Sequence, residues 1–176
     1  VFEACSRHKD PARRLYQSTS FSELEIFSNQ LAHALLKSGI SPGTRAVLMV
    51  KPSSEFFALS FAVFKAGIIP VFIDPGMGIK GLGKCIDESR ATAFIGIPVA
   101  HLARKLFGWG RNSLNQFVTI KPSERRISFR NKSGKGKIKL ADQPASVPDI
   151  QSSIDATAAI LFTSGSTGPA KGVVYS

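Results

Sequence analysis

The chain has 176 residues, of which 43% are hydrophobic and 20% charged, a composition that excludes a wholly disordered, collagenous or fibrous protein. Its 23 Lys and Arg residues against 12 Asp and Glu residues give a net charge of +11, which would suit an anionic partner. Two widely separated cysteines, Cys5 and Cys85, exclude a disulfide framework and a cysteine zinc site, and favour free thiols in a reducing compartment such as the cytoplasm.

The first predicted element is a helix that begins near residue 21. Ser22 and Glu25 match a capping box, and Phe21 and Ile26 have the spacing of a hydrophobic staple. Gly39 is predicted to end the helix in a left-handed conformation. Between these ends, apolar residues recur at helical spacing: Leu24, Phe27, Leu31, Ala34 and Leu35.

A short strand over residues 45–50 is followed by a second predicted helix, capped by Ser53 and closed by Gly67. Apolar side chains lie on every side of this helix, so we expect it to be covered on all faces by other layers. These residues are Phe56, Phe57, Leu59, Phe61, Val63 and Phe64. Lys65 and Gly67 interrupt this most apolar stretch of the chain, so we expect no transmembrane segment.

Strands and helices then alternate. The pattern predicts a strand over residues 68–73, a loop over 74–78, a helix over 79–89, a strand over 92–97 and a helix over 99–107. Such alternation is typical of the α/β class, here a layered, mostly parallel sheet with helices on both faces.

Four single residues in this region have two interpretations each. We expect His101 to be a packing or surface histidine because no nucleophile partner accompanies it. Trp109 is interpreted as a packing anchor in preference to a channel-lining residue. Asp74 and Asp155 lie next to strands, where capping of loop amides is the simpler role.

Most of the excess charge lies in residues 121–139, which contain eight of the Lys and Arg residues and one acid, Glu124. The segment predicts strands over 126–130 and 137–140 around a turn, with few aromatic residues to stack on bases. A solvated surface hairpin is therefore favoured, and a nucleic-acid- or anionic-surface-binding module is the alternative, to be recognised by steep salt dependence. Residues 141–155, rich in Pro and Ser, resemble a connecting loop.

The last predicted strand, residues 156–162, leads into a segment with four hydroxyl groups, three glycines and a lysine, residues 163–172. Glycines allow backbone amides to approach an anion, hydroxyls donate further hydrogen bonds, and a lysine adds a mobile positive charge. No GK[ST] sequence is present, so the segment is not a Walker A motif. It nevertheless predicts a phosphate-binding loop in preference to a generic flexible one.

This segment closely resembles the phosphate-loop signature of the adenylate-forming superfamily, which includes acyl-CoA synthetases, luciferases and nonribosomal adenylation domains. Ala170 stands where most members have proline. The resemblance extends upstream through residues 21–32, 39–46 and 56–71. Residues 74–78 and 94–104 look most like the β-lactone synthetases of bacterial long-chain olefin biosynthesis and related fatty-acid-CoA-ligase-like proteins.

The resemblance implies an ATP- and Mg²⁺-dependent enzyme in which a carboxylate, expected to be a long-chain acid, attacks the α-phosphate to give an acyl-adenylate and pyrophosphate. Coenzyme A would then accept the acyl group, or the hydroxyl of a β-hydroxy acid would close a β-lactone. Carried over by position, the residues that would bind or shape the phosphate site are Thr163, Ser164, Gly165, Ser166, Thr167, Gly168 and Lys171. Thr163 would also approach the Mg²⁺.

Members of this superfamily continue beyond the phosphate loop with an adenine- and metal-binding region, a ribose-binding aspartate and a small C-terminal domain that carries the catalytic lysine. The resemblance therefore implies that residues 1–176 are an incomplete N-terminal AMP-binding domain, inactive by itself. No nucleic-acid partner is expected from it.

Overall fold

A computed structural model describes residues 2–5, 16–121, 126–151, 153–163 and 170–176. Strands and helices follow one another in these described residues as β1 Phe2–Cys5, β2 Tyr16–Thr19, α1 Phe21–Lys37, β3 Arg45–Met49, α2 Ser54–Lys65, β4 Ile69–Ile73, α3 Gly78–Ser89, β5 Ala93–Gly96, α4 Pro98–Phe107, β6 Gln116–Ile120, β7 Arg126–Asn131, β8 Gly134–Lys139, β9 Ala159–Thr163 and β10 Lys171–Tyr175.

Eight strands form one sheet in the order β10-β9-β4-β3-β5-β6-β7-β8. The five central strands, β9 to β6 in this order, are parallel, and β10, β7 and β8 add antiparallel pairings at the two ends. Strands β1 and β2 form a separate antiparallel pair. The predicted mostly parallel α/β sheet is confirmed.

Two apolar cores lie on opposite faces of this sheet. On one face, α1 and α2 pack on alternate residues of the central strands, such as Leu48 and Ile95. On the other face, α3 packs on the intervening residues, such as Val47 and Phe94, and Ala100 and Ala103 of α4 join the same core. The predicted helical layers on both faces are therefore present.

Helix α1 begins two residues earlier than its capping prediction implied. Ser20, not Ser22, is the N-cap, and its Oγ accepts a hydrogen bond from the amide of Glu23 at 3.2 Å while the Glu23 carboxylate accepts one from the Ser20 amide at 2.8 Å. The predicted staple is also wrong, because Phe21 is 74% exposed and Ile26 is 43% exposed. The sequence contains two overlapping S-x-x-E patterns, Ser20 to Glu23 and Ser22 to Glu25, and the helix uses the earlier one.

The C-terminal end of α1 is as predicted. Gly39 has φ +94° and its amide donates to the Leu36 carbonyl, while the amide of Ile40 donates to the Leu35 carbonyl. This pair of hydrogen bonds is the Schellman arrangement, which requires a left-handed residue at Gly39.

Helix α2 has the predicted cap, Ser53, but not the predicted cover. Its inward stripe consists of small and aliphatic residues, including Ala58 and Leu59. Phe57, Phe61 and Phe64 form an outward stripe and are between 41% and 48% exposed, so no layer of the described residues covers this side of the helix. Helical spacing of these three aromatics distinguishes a stripe from an all-round apolar surface.

Strand β6 was not predicted, and it changes the setting of the basic hairpin. The prediction of two strands was correct, but β7 pairs with β6, so the hairpin continues the main sheet and is not a separate surface element. Its turn is also tighter than predicted, with Ser133 donating its amide to Asn131 Oδ1 at 2.9 Å. Ile127 and Ile138 are buried in the core below α1 and α2.

Candidate functional site

A cavity of about 460 Å³ lies at the carboxyl ends of the parallel strands β3, β4, β5 and β9. This volume is within the range of small-molecule sites. Most of its lining is apolar: Leu48, Met49, Val50, Pro52, Phe56, Phe72, Ile73, Pro75, Ile97, Ala100, Leu161 and Phe162. The lining also includes three side chains that can donate or accept hydrogen bonds, Lys51, Asp74 and Thr163.

The order of the strands explains why a cavity forms here. After β3 the chain passes through α2 on one face of the sheet, and after the neighbouring β5 it passes through α4 on the other face. Adjacent parallel strands whose following helices leave on opposite faces create a crevice at their carboxyl ends, where ligands of open α/β sheets bind. The cavity extends from this crevice to the end of β9.

Strand β9 brings Thr163 to the edge of the cavity, and β10 begins directly opposite it. Thr163 and Lys171 are partners across the antiparallel pair, so their side chains lie on the same face of the sheet. Both are exposed. The two ends of the predicted phosphate loop are therefore held side by side, with a hydroxyl and an ammonium group available next to the cavity. Five other predicted residues of the loop lie outside the described residues: Ser164, Gly165, Ser166, Thr167 and Gly168.

Gly172, the last residue of the predicted loop, has a packing role that sequence reasoning did not identify. It is the cross-strand partner of Phe162, whose ring is buried at the cavity wall. A Cβ atom at Gly172 would lie 2.8 Å from Phe162 Cζ and 3.0 Å from Cε1. The absence of a side chain at this position thus allows the Phe162 ring to lie across β10.

Asp74 is a capping residue, as predicted. Its Oδ1 accepts a hydrogen bond from the Gly76 amide at 2.8 Å, which shapes the turn after β4. At Asp155 the roles are reversed. Its own amide donates to Ser153 Oγ at 3.3 Å, and among the described residues its carboxylate does not cap a loop amide. Lys51 was not singled out from the sequence, although its position just beyond a parallel strand, two residues after the end of β3, was a usable signal.

His101 and Trp109 have packing roles. His101 Nε2 donates to the carbonyl of Val118 at 3.0 Å, and its ring contacts Phe94 edge-on with centroids 5.0 Å apart. Burial lowers the pKa of His101, so the neutral ring is favoured. Trp109 is buried and stacks on Phe107 at 5.7 Å, which confirms the anchor interpretation.

Cys85 is buried, with Sγ 3.4 Å from the Met77 sulfur, and burial raises the pKa of its thiol. In the part of the chain that the structure describes, no three His, Cys, Asp or Glu side chains are grouped so as to hold a metal ion. None of the described helices has the length and apolar character needed to cross a membrane.

The chain is similar to known proteins in both sequence and structure. The sequence matches the family described as AMP-binding enzyme over residues 2–176. An olefin beta-lactone synthetase of Xanthomonas campestris pv. campestris is 47% identical over 163 residues, covering 89% of this chain and 27% of that protein. An olefin beta-lactone synthetase of Stenotrophomonas maltophilia is 42% identical over 157 residues, covering 88% and 27% respectively. The chain thus spans about a quarter of the length of these relatives.

Solved structures share the fold. The inhibitor-bound N-terminal domain of FACL13 from Mycobacterium tuberculosis superposes with a TM-score of 0.70 at 20% identity, covering 94% of this chain and 38% of that one. ATP-bound MatB from Rhodopseudomonas palustris gives a TM-score of 0.69 at 22% identity, covering 91% and 30%.

Proposed function

Because this chain belongs to the family of AMP-binding enzymes, we propose that it supplies the phosphate-binding loop of an ATP-dependent enzyme that activates carboxylic acids as acyl-adenylates. In this proposal, residues 1–176 are part of an N-terminal AMP-binding domain, residues 163–172 are the phosphate loop, and residues 141–155 connect the basic hairpin to β9. The pairing of Thr163 with Lys171 beside an apolar cavity is the observation that carries the proposal.

The exposed side chains at the loop ends fit polyphosphate. The Lys171 ammonium would neutralise charge on the β- and γ-phosphates, and the Thr163 hydroxyl would donate a hydrogen bond to a phosphate oxygen. Ser164, Ser166 and Thr167 would add hydroxyl donors, with Gly165 and Gly168 keeping the backbone close. ATP-bound MatB, which shares this fold, supports ATP as the nucleotide.

Mg²⁺ would be held mainly by the nucleotide. This ion usually binds through one or two protein oxygens, several waters and the substrate phosphates. A single threonine hydroxyl at the end of β9 fits that mode, so Thr163 is the residue we assign to the approach of the metal. The metal's charge would assist departure of pyrophosphate.

The proposed reaction joins a carboxylate oxygen to the α-phosphorus of ATP while the bond between the α- and β-phosphates breaks and pyrophosphate leaves. This chain's part is to orient the departing phosphates at Lys171 and to exclude water with the apolar wall. Since the cavity lining is largely hydrocarbon and aromatic, a fatty acid is the substrate class that we propose.

For the second step, we propose closure of a β-lactone by the hydroxyl of a β-hydroxy fatty acid. Support comes from the two olefin beta-lactone synthetases, at 47% and 42% identity. Transfer of the acyl group to coenzyme A is a second candidate, suggested by solved acyl-CoA synthetases of the same fold. The comparisons give no support to the nucleic-acid-binding alternative.

The test uses the intact protein that carries this chain. We expect exchange of labelled pyrophosphate into ATP only when a fatty or β-hydroxy fatty acid is present. Lys171→Ala should raise the apparent KM for ATP about tenfold or more, because it removes a charge-assisted contact. Folding should be unaffected, since Lys171 is exposed.

Lys84→Ala is the matched control. It removes one exposed lysine from α3, which packs on the opposite side of the sheet from α2, and should leave exchange unchanged. Exchange that does not depend on an acid, or an ATP requirement that is the same in Lys171→Ala and wild type, would refute the proposed function.

A further inference from the structure

The basic hairpin formed by β7 and β8 has one apolar face and one positively charged face. In β7 and β8, Ile127 and Ile138 point to the core beneath α1 and α2. Side chains alternate across a strand, so the neighbouring residues point to the other face. On that face Ser128 lies beside Lys137, and Arg130 lies beside Lys135. Five of the eight cations of residues 121–139 therefore share one face of the sheet: Arg126, Arg130, Lys135, Lys137 and Lys139.

Helix α4 lies over the start of this face and closes it into a groove of about 540 Å³. Five of the described lining residues are Lys or Arg, and none is Asp or Glu: Arg104, Lys105, Arg130, Lys135 and Lys137. The groove thus combines several cations, two hydroxyls and aromatic walls.

Arg104 is the unusual member of this set. Arg104 is only 8% exposed, although arginine is almost never fully buried without a charged or hydrogen-bonding partner. Its Nε atom is buried and has no hydrogen-bond partner, and no described carboxylate pairs with it. The guanidinium lies 4.2 Å from the Phe117 ring centroid, and the Arg130 guanidinium lies 5.0 Å from the same ring.

Two guanidinium groups on one ring repel each other unless an anion joins them. Burial, together with the charge of Arg130, lowers the pKa of Arg104, in the direction expected for a buried cation without a carboxylate partner. Both guanidinium carbons lie within cation–π distance of the Phe117 ring, and neither group pairs with a described carboxylate. Their N–H groups are therefore available for forked contacts with phosphate oxygens.

We propose that this groove binds a phosphorylated small molecule, with its phosphate between Arg104 and Arg130 and further contacts from Lys135, Lys137 and the Ser128 hydroxyl. The groove volume is within the range of small-molecule sites, and it exceeds the room that a single inorganic phosphate needs. A ligand with two or more negative charges would suit the five groove cations, none of which forms an ion pair with a described carboxylate.

This site is distinct from the phosphate loop. The loop follows β9, and the groove is built on β6, β7 and β8, with β4, β3 and β5 lying between them in the sheet. The lining residues of the groove and those of the cavity beside Thr163 have no residue in common. Occupation of one site does not use the groups of the other.

Titration calorimetry with inorganic pyrophosphate tests the proposal on the intact protein. A Lys171→Ala background reduces binding at the phosphate loop. In that background we expect saturable binding of one pyrophosphate, weakened at least tenfold by the double substitution Lys135→Gln and Lys137→Gln. Arg104→Gln should abolish the binding. Lys135 and Lys137 are exposed, so the double lysine variant should fold and still tests the proposal if Arg104→Gln does not fold.

Lys139→Gln is the matched control, because Lys139 is exposed on the same strand and does not line the groove. It should weaken binding less than twofold. Absence of saturable pyrophosphate binding would overturn the proposal. So would an equal loss in Lys139→Gln, which would indicate unspecific surface charge, or binding of a single-stranded oligonucleotide without binding of pyrophosphate.

Discussion

Gly172→Ala is expected to damage both stability and ATP use, although it adds a single methyl group. The new Cβ would lie 2.8 Å from Phe162 Cζ, 3.0 Å from Cε1 and 3.2 Å from Cε2, well inside van der Waals contact. Because Phe162 is only 5% exposed, its ring cannot swing into solvent. Overpacking of this kind costs about 1–3 kcal/mol of unfolding free energy.

The assay is chemical denaturation combined with acid-dependent pyrophosphate exchange in the intact protein. Displacement of the Phe162 ring or of β10 would shift Thr163 and Lys171, which are paired one position away. We therefore expect a higher apparent KM for ATP as well as a lower unfolding midpoint. Phe162→Leu, combined with Gly172→Ala, removes the clash and should recover part of the ATP affinity.

The hairpin β7–β8 provides a matched control. A Cβ at Gly136 would lie 2.8 Å from Phe129 Cε1, the same geometry between cross-strand partners. Phe129 is only half-buried, so its ring can move aside, and Gly136→Ala should cost less than about 1 kcal/mol with no effect on exchange. If Gly172→Ala were as stable as wild type with unchanged exchange, the packing role of Gly172 would be wrong.

Three further predictions concern the scaffold. Ser20→Ala should destabilise the protein by about 1 kcal/mol and Ser22→Ala by less than about 0.5 kcal/mol, as measured by denaturant unfolding, because only Ser20 caps α1. Lys65→Met should lower the free energy of unfolding by about 1–3 kcal/mol in the same assay. Lys65 Nζ donates to Oδ1 of the buried Asn29 at 2.8 Å, and the substitution would leave this oxygen without that donor. Equal stability of the variant and the wild type would contradict this. Because burial lowers the pKa of His101 below its ordinary 6.5, the unfolded chain binds this proton first as pH falls. The free energy of unfolding should thus decrease below about pH 6.5, with a shallower slope in His101→Gln; identical slopes would exclude the histidine as the cause.

Local signals in the sequence were sufficient to predict the ends of helices that are fixed by capping residues. Ser53 and Gly67 delimit α2 within a residue, and Gly39 ends α1 as predicted, because capping hydrogen bonds and positive φ depend on the nearest neighbours. The start of α1 was misplaced because two S-x-x-E patterns overlap, and the local pattern alone does not distinguish Ser20 from Ser22 as the N-cap.

Other features depend on residues far away in the sequence and could not be predicted from local patterns. Strand β6 is short, with polar residues at Gln116 and Thr119, and it becomes a strand by pairing with β5 and β7. The pairing of Thr163 with Lys171 depends on β10, which no pattern predicted. The burial of Arg104 follows from where α4 docks, not from the charge run itself.

The position of β9 has a consequence for how the protein folds. In the described sheet, β9 pairs with β4, so that Val71 lies beside Ile160, a partner far along the chain. Pairing over such a distance requires a large loop to close before any contact forms, which slows folding. Until β9 arrives, the apolar edge of β4 is open to other chains during synthesis. The proposed phosphate loop, which follows β9 in the sequence, would therefore be completed late, and we expect conditions that delay this strand to favour aggregation over formation of the proposed nucleotide site.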